Sequence, residues 1–262
     1  MNSRRVLFLG FIVLIYAYLL SPVAVVILTS FNPTRLSVFP PTGFSLMWYK
    51  EFFQDPTFMN AFFNVSLKVG IIVSIASTLM GILASIAIVR FRFKGVAFIE
   101  TFFLSPMMVP HILIGISLLL FLTKFMVGDM LRLIIGHIII CTPIAIRAIY
   151  ASLSGLDPSL EEAARTLGAN RLQTFYLVTL RLTFSGVLAA IIFSFIISFT
   201  DVNVSLFLTG PGITTLPIEI FTYLQWESTP VVAAITTVQV AMIIGFSFLL
   251  EKLVGLSTVM KY

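Results

Sequence analysis

Long apolar runs are the feature that most constrains what this chain can fold into. They lie at about 6–28, 65–89, 98–122, 131–150, 183–208 and 231–250. A helix needs about 20 apolar residues to cross the hydrocarbon core of a bilayer. Charged residues make up only 10% of the chain, whereas soluble domains carry about 25%. The sequence therefore predicts an all-α polytopic membrane protein, with six transmembrane helices in a single domain over residues 1–262.

The first apolar run, at about 6–28, fits either a signal peptide or an uncleaved span. It is longer than the core of a signal peptide, which has about 7–15 residues, and no small-x-small cleavage site follows it. We therefore expect an uncleaved first span.

The distribution of basic residues predicts the orientation, because Lys and Arg are retained on the cytoplasmic side of a membrane. A cytoplasmic N-terminus puts eleven basic residues inside, namely Arg4, Arg5, Arg90, Arg92, Lys94, Arg147, Arg165, Arg171, Arg181, Lys252 and Lys261. It leaves five outside, namely Arg35, Lys50, Lys68, Lys124 and Arg132. We therefore expect both termini, and the loop at 151–182, to be cytoplasmic.

The loop at 151–182 is a polar segment within this apolar chain, and its residues predict a capped helix. Asp157 is suited to cap a helix that begins at Pro158, where a missing N–H costs nothing. Gly168 is suited to end that helix, because glycine tolerates the left-handed conformation. Asn170 and Gln173 then have the spacing of a second cap with its partner. The loop is thus predicted to form two short helices with a bend at Gly168.

The first of these helices has a small apolar face, formed by Leu160, Ala163, Ala164 and Leu167. Glu161 and Arg165 are four residues apart and are expected to pair on the exposed side. An amphipathic helix resting on the membrane is one interpretation, but this face lacks the bulky aromatic residues that such helices bury. Docking to a cytoplasmic partner is the interpretation we favour.

The spacing Glu162-Ala163-Ala164-x3-Gly168 resembles the EAA loop of ATP-binding-cassette (ABC) importer permeases. The resemblance continues at Val178-Thr179-Leu180, although Arg181 stands where that family usually has proline. In that family the loop forms a coupling helix that docks on an ATPase subunit. The resemblance therefore implies a set of ATPase-coupling residues, namely Leu160, Glu161, Glu162, Ala163, Ala164, Arg165, Leu167 and Gly168.

Further segments resemble the spermidine/putrescine-type permeases within this family. They are Phe44–Tyr49, Asn64–Leu67, Ser105–Pro110, His137–Pro143, Ser198–Asp201, Thr209–Gly212 and Thr214–Pro217. Thr200 and His111 stand where that branch often has acids. The resemblance implies the type I (MetI-like) permease fold and a subunit that forms half of a pathway for a small solute, a polyamine.

The same resemblance implies the partners of the chain and its location. They are two ABC ATPase subunits, a second and non-identical permease, an external substrate-binding protein and the lipid of a bacterial inner membrane, with no nucleic acid. The sequence has no Gly-x4-Gly-Lys-Ser/Thr loop to hold a nucleotide phosphate. We therefore expect no enzymatic activity and no cofactor in this chain, with ATP and Mg²⁺ on the separate ATPase subunits.

Two alternative functions stay open at this point. The importer could carry another small amine or an amino-acid-like solute, because specificity in such systems resides largely in the binding protein. A self-contained carrier or channel is less favoured, because such carriers often show inverted repeats and several intramembrane charges.

Polar residues in the fifth run predict a translocation pathway. Ser194, Ser198, Asp201 and Ser205 follow a helical stripe that ends near the outer side. Ionisable groups within a span usually face a cavity or a partner, and Asp201 would attract a cation; the alternative is a solvated residue at the outer interface.

His111, near the middle of the third run, is a further pathway candidate, or it bonds backbone groups that Pro106 and Pro110 free. His111 and His137 lack a third ligand at a suitable spacing, so no metal site is expected.

Overall fold

A computed structural model describes residues 3–91 and 94–254 of the chain, with side chains for 7–91 and 94–252. The described part is helical, apart from turns, loops and one isolated bridge between Gly210 and Ile213. The all-α class predicted from the apolar runs is therefore confirmed. Of the basic residues used to predict the orientation, Arg92 and Lys261 lie outside the described residues, as do the side chains of Arg4 and Arg5.

The helices of the first half follow in a simple order. They are α1 (Ser3–Thr29), α2 (Met47–Gln54), α3 (Pro56–Met59), a π-helical segment (Asn60–Leu67), α4 (Lys68–Arg90), α5 (Val96–Leu104), a 3₁₀ turn (Ser105–Met108) and α6 (His111–Thr123). The second half begins with α7 (Asp129–Ser154) and α8 (Pro158–Thr166). It continues with α9 (Arg171–Thr174), a π-helical segment (Phe175–Thr179), α10 (Leu180–Leu182), α11 (Phe184–Thr200), α12 (Ser205–Leu208), α13 (Leu216–Trp226) and α14 (Val231–Val254).

Four helices of the described chain are long and apolar enough to cross a membrane. They cover Leu7–Thr29, Pro56–Arg90, Asp129–Ser154 and Val231–Lys252. Two further pairs of helices qualify only if each bent pair counts as one span, which gives up to six. The helix over Pro56–Arg90 begins before the predicted second span at 65–89, because α3, the π segment and α4 run on without a break.

The predicted third span, at 98–122, is not one continuous helix in the structure. Val96–Met108 and His111–Thr123 are bent by 103° at the break between them. Val109 and Pro110 have extended ψ values of 130° and 127° there. A residue before proline is disfavoured in the helical region, so Val109 preceding Pro110 accounts for the position of the break.

The predicted fifth span, at 183–208, also needs correction at its C-terminal end. Helix α11 ends at Thr200, and Asp201 has an extended backbone with ψ 131°. At the N-terminal end, Arg171–Leu182 and Phe184–Thr200 are bent by 69°. Ser205 therefore begins a separate short helix, α12, and does not continue the helical stripe of Ser194 and Ser198.

By its internal contacts the chain divides into two compact units. One contains residues 1–59 and 220–244, and the other contains residues 60–219 and 245–262. In the first unit, Trp48 of α2 is buried and donates its indole N–H to the carbonyl of Asn32 at 2.6 Å. The prediction of a single permease domain stays a prediction.

In the second unit α4, α7 and α11 pack closely because α4 and the π-helical segment before it carry a stripe of small residues. Its members are Ser66, Gly70, Ser74, Ser77, Gly81 and Ser85, and all are buried. A Cβ atom at Gly81 would lie 3.0 Å from the Ala145 backbone of α7, and one at Gly70 would lie 3.0 Å from Phe195 of α11. Small residues allow such close approach between membrane helices. These three helices form a core, and the two candidate functional sites described below lie against it.

Candidate functional site

The loop at 151–182 has the capped helices that its sequence predicts. Asp157 accepts a hydrogen bond from the backbone N–H of Ser159 at 2.9 Å. This bond lowers the pKa of the Asp157 carboxyl, so the cap remains charged at neutral pH. Asn170 and Gln173 form a reciprocal capping box, with two hydrogen bonds of 2.9 Å.

The end of α8 is a Schellman motif built on Gly168. Gly168 has φ +94°, and nothing lies within 4 Å of the position that a Cβ would take. Its N–H bonds the carbonyl of Arg165 at 3.0 Å, and the N–H of Ala169 bonds that of Ala164 at 3.1 Å. These two bonds define the motif. The bend predicted at Gly168 is thus confirmed, and it turns the chain directly into the helix that begins at Arg171.

Most of the predicted coupling residues form an exposed surface of α8. The exposed ones are Leu160, Glu162, Ala163, Arg165, Leu167 and Gly168, while Ala164 is half-buried. Leu167 is 90% exposed and Leu160 is 46% exposed, which leaves two large apolar side chains uncovered. A short helix with this composition presents a small surface suited to docking on another protein.

Glu161 differs from the other coupling candidates because it is buried. Its Oε1 accepts a hydrogen bond of 2.7 Å from the hydroxyl of Thr179. The guanidinium Nε of Arg90, at the end of α4, lies 3.2 Å from its Oε2. The prediction that Glu161 pairs with Arg165 on the exposed side is therefore wrong: Glu161 faces inward and pairs with Arg90. The sequence contained no local signal for this, since Arg90 and Glu161 are 71 residues apart.

A cavity of about 400 Å³ opens beside this buried pair. Its lining includes charged groups of both signs, namely Arg90, Arg165, Arg171, Glu161 and Glu162. The cavity lies where the end of α4 meets α8 and the helix that follows the bend. The loop at 151–182, the predicted coupling loop, thus contains a polar assembly that the Arg90–Glu161 ion pair connects to the end of α4.

The second candidate site is a buried polar cluster around His137 of α7. The two ring nitrogens of His137 lie within hydrogen-bonding distance of two hydroxyls, with Nδ1 2.8 Å from Ser198 Oγ and Nε2 2.9 Å from Ser205 Oγ. A neutral imidazole carries one donor and one acceptor, and a hydroxyl can serve as either. The cluster is therefore satisfied without a charge on His137.

Asp201 lies at the break between α11 and α12 and completes this cluster. Its Oδ2 accepts the backbone N–H groups of Val204 and Ser205 at 2.9 and 3.0 Å. Its Oδ1 lies 3.9 Å from Nδ1 of His111, at the start of α6. The Asp201 side chain is 3% exposed and that of His111 is 37% exposed, so the cluster reaches the surface at His111.

The five predicted pathway residues thus lie in one region of the second unit. Ser194, Ser198, Asp201 and Ser205 are buried, and His111 is partly exposed. Ser194 Oγ has no hydrogen-bond partner among the described residues. Sequence reasoning missed His137 as the residue that joins Ser198 to Ser205. The role of these five residues in a pathway stays a prediction.

Comparison with known families gives the context for both sites. Residues 77–256 match the model of the family described as "binding-protein-dependent transport system inner membrane component". The match covers more than half of the chain and includes α8 and the His137 cluster. The chain belongs to this family.

Two relatives of this permease are similar over most of their length. The spermidine/putrescine transport system permease protein PotC of Escherichia coli K12 is 34% identical over 87% of this chain and 86% of its own. The putrescine transport system permease protein PotI of the same strain is 31% identical, over 88% and 83%. The chain is therefore a transmembrane permease subunit of an ABC importer, as the EAA-like loop implied, and its relatives are transport components.

Solved structures agree on the fold. The chain superposes with a TM-score of 0.61 on part of "a bacterial ABC transporter involved in the import of the acidic polysaccharide alginate", over 96% of this chain and 98% of that one. Only 16% of the aligned residues are identical, so this likeness concerns the fold alone. It confirms the type I permease fold that the sequence predicted.

Proposed function

We propose that this permease subunit forms half of a translocation pathway for a polyamine of the spermidine/putrescine class. The observation that carries the proposal is the similarity to PotC and PotI, two relatives whose names both include putrescine. The carboxylate of Asp201 is buried, and its Oδ1 faces His111, which is partly exposed. This arrangement supports a cationic solute. Coulomb attraction of about 4 kcal/mol acts between unit charges 4 Å apart near a protein surface.

Uptake by the reconstituted transporter tests this proposal. The complete complex, in liposomes with ATP on the side of the ATPase subunits, is expected to accumulate radiolabelled putrescine or spermidine when the binding protein is supplied. Butane-1,4-diol has the length of putrescine without its charges and is expected not to compete. Uptake of an amino acid, and not of a polyamine, would support the alternative of an amino-acid-like solute. Uptake without ATP would indicate a self-contained carrier.

The partners follow from the family and from the surface of α8. A family described as binding-protein-dependent requires an external binding protein. We assign the exposed surface of α8 to docking on an ATPase subunit, with ATP and Mg²⁺ held there and none in this chain. Two ATPase subunits and a second, non-identical permease complete the proposed complex, because one subunit supplies one coupling loop and half of a pathway.

We further propose that both termini and the coupling loop are cytoplasmic. The support is the basic asymmetry of the sequence, together with a docking surface that is useful only on the side where ATP is present. Ser159→Cys in α8 is expected to react with an impermeant thiol reagent only after the cells are opened. Ser228→Cys, exposed after α13, is expected to react in intact cells.

The parent chain is the control for this labelling, because its Cys141 is buried. Reaction of Ser159→Cys in intact cells, with Ser228→Cys protected, would reverse the orientation. The labelling depends only on topology, so it is independent of the solute that the importer carries.

A further inference from the structure

Two adjacent acids of α8 have opposite environments. Glu162 is exposed, whereas Glu161 is buried against the end of α4 and the π-helical segment over Phe175–Thr179. A docking surface needs exposed side chains, such as that of Glu162. A buried carboxylate, such as that of Glu161, does not contribute to such a surface. The buried acid therefore requires an explanation of its own.

The carboxylate of Glu161 joins parts of the chain that are distant in sequence. Arg90 Nε lies 3.3 Å from Oε1 and 3.2 Å from Oε2, and Thr179 Oγ1 lies 2.7 Å from Oε1. Arg90 Nη2 also donates to the carbonyl of Leu156, just before α8, at 3.4 Å. One ion pair thus connects α8, the segment before it and the helix after the bend to the last turn of α4.

The other end of this connection is the closely packed core. Helix α4 carries most of the buried small-residue stripe, and near Arg90 its Ser85 hydroxyl donates to the carbonyl of Ile146 in α7 at 3.1 Å. Packed helices with few voids transmit displacements and do not absorb them. Arg90 is therefore placed to pass a movement of α8 to α4, and Ser85 links α4 to α7.

We propose that Arg90, Glu161 and Thr179 are positioning residues that couple the movement of the docking helix α8 to the transmembrane core. The inference rests on the proposed docking of α8 on an ATPase subunit and adds the internal connection. Glu162 contacts the partner, whereas Glu161 passes the partner's movement on. Loss of the Arg90–Glu161 pair is then expected to uncouple ATP hydrolysis from transport without releasing the ATPase.

Reversal of each charge, alone and together, tests this inference in the complete reconstituted complex. Glu161→Arg and Arg90→Glu are each expected to retain the copurifying ATPase and its basal hydrolysis. In both variants uptake is expected to fall by about tenfold, and the stimulation of ATP hydrolysis by loaded binding protein is expected to fall by the same factor. This factor lies within the roughly 5- to 150-fold range of allosteric coupling. The double variant restores the ion pair with its polarity reversed and is expected to recover most of both activities.

Two further variants separate coupling from folding. Thr179→Val removes one hydrogen bond from Glu161 at nearly constant volume and is expected to lower stimulation partially, with unchanged membrane abundance. Lys94→Glu, exposed after α4, changes the net charge by the same amount as Arg90→Glu and is expected to have no effect.

The outcomes are distinguishable from failure of the proposed docking itself. If the parent complex contains no ATPase, the proposed function fails. If the parent is intact and both single variants are stimulated normally, the coupling role is wrong. If the single variants lose membrane abundance and the double variant does not restore stimulation, the pair is structural only, which also overturns the proposal.

Discussion

Glu162→Lys is expected to abolish uptake while the protein remains in the membrane at its normal level. Glu162 is exposed on α8, and its carboxylate has no hydrogen bond or ion pair among the described residues, so its reversal breaks no internal polar contact. At a docking interface the same change converts an attraction of about 1–4 kcal/mol at 4 Å into a repulsion. The total change is then about 2–8 kcal/mol, and because each 1.4 kcal/mol is a factor of ten, uptake is expected to fall by at least about 25-fold.

The measurement is uptake per assembled complex, together with the amount of ATPase that copurifies. Glu162→Gln removes the charge without reversing it and is expected to have a smaller effect. Glu251→Lys provides a matched control, because Glu251 is an exposed acid at the end of α14 and receives the same charge change. Normal uptake by Glu162→Lys with ATPase still bound would mean that α8 is not the docking surface.

The coupling loop was predictable where its structure depends on neighbours in sequence. Asp157, Gly168 and Asn170 act within a few residues, through a cap, a left-handed glycine and a capping box. Glu161 was misassigned for the opposite reason. Helical spacing offered Arg165 as a partner four residues away, but a buried acid pairs with whatever cation the tertiary structure supplies, here Arg90.

The spans show the same division between local and tertiary information. Pro110 lies at the break in the third run, but the 103° angle there depends on packing that hydropathy does not describe. In the fifth run, mean hydropathy favoured a continuous helix through Asp201. Aspartate is also a good cap for a new helix, and in the structure this preference prevails, since α11 ends at Thr200 and Asp201 accepts the N–H groups that follow.

The His137 cluster was the least predictable feature. His137 lies 61 residues from Ser198 and 68 from Ser205, so no spacing rule connects them. The serines were assigned to a pathway because the sequence predicts that they share a helical face, whereas in the structure Ser198 and Ser205 lie in different helices and both face His137 of α7. Polar residues within a span indicate that a partner is needed, but only the packed structure identifies the partner.

Asp201→Asn is expected to lower polyamine uptake by at least about tenfold, because 1.4 kcal/mol is enough for that factor and a charge 4 Å away contributes up to about 4 kcal/mol. The structure makes this substitution informative in a way that the sequence did not. Asp201 has two roles, since Oδ2 caps the backbone of Val204 and Ser205 while Oδ1 faces His111. Asparagine is as good a cap as aspartate, so it retains the first role and removes only the charge.

Asp201→Ala provides the comparison, because alanine removes both the cap and the charge. Loss of a cap costs about 0.5–2 kcal/mol of stability, so Asp201→Ala is expected to lower the melting temperature of the purified subunit, whereas Asp201→Asn is not. If Asp201→Asn transports polyamine at the parent rate and only Asp201→Ala is impaired, Asp201 is a helix cap. The pathway would then have to attract its cation through other residues, and the attraction of a cation by Asp201 would no longer support a polyamine substrate.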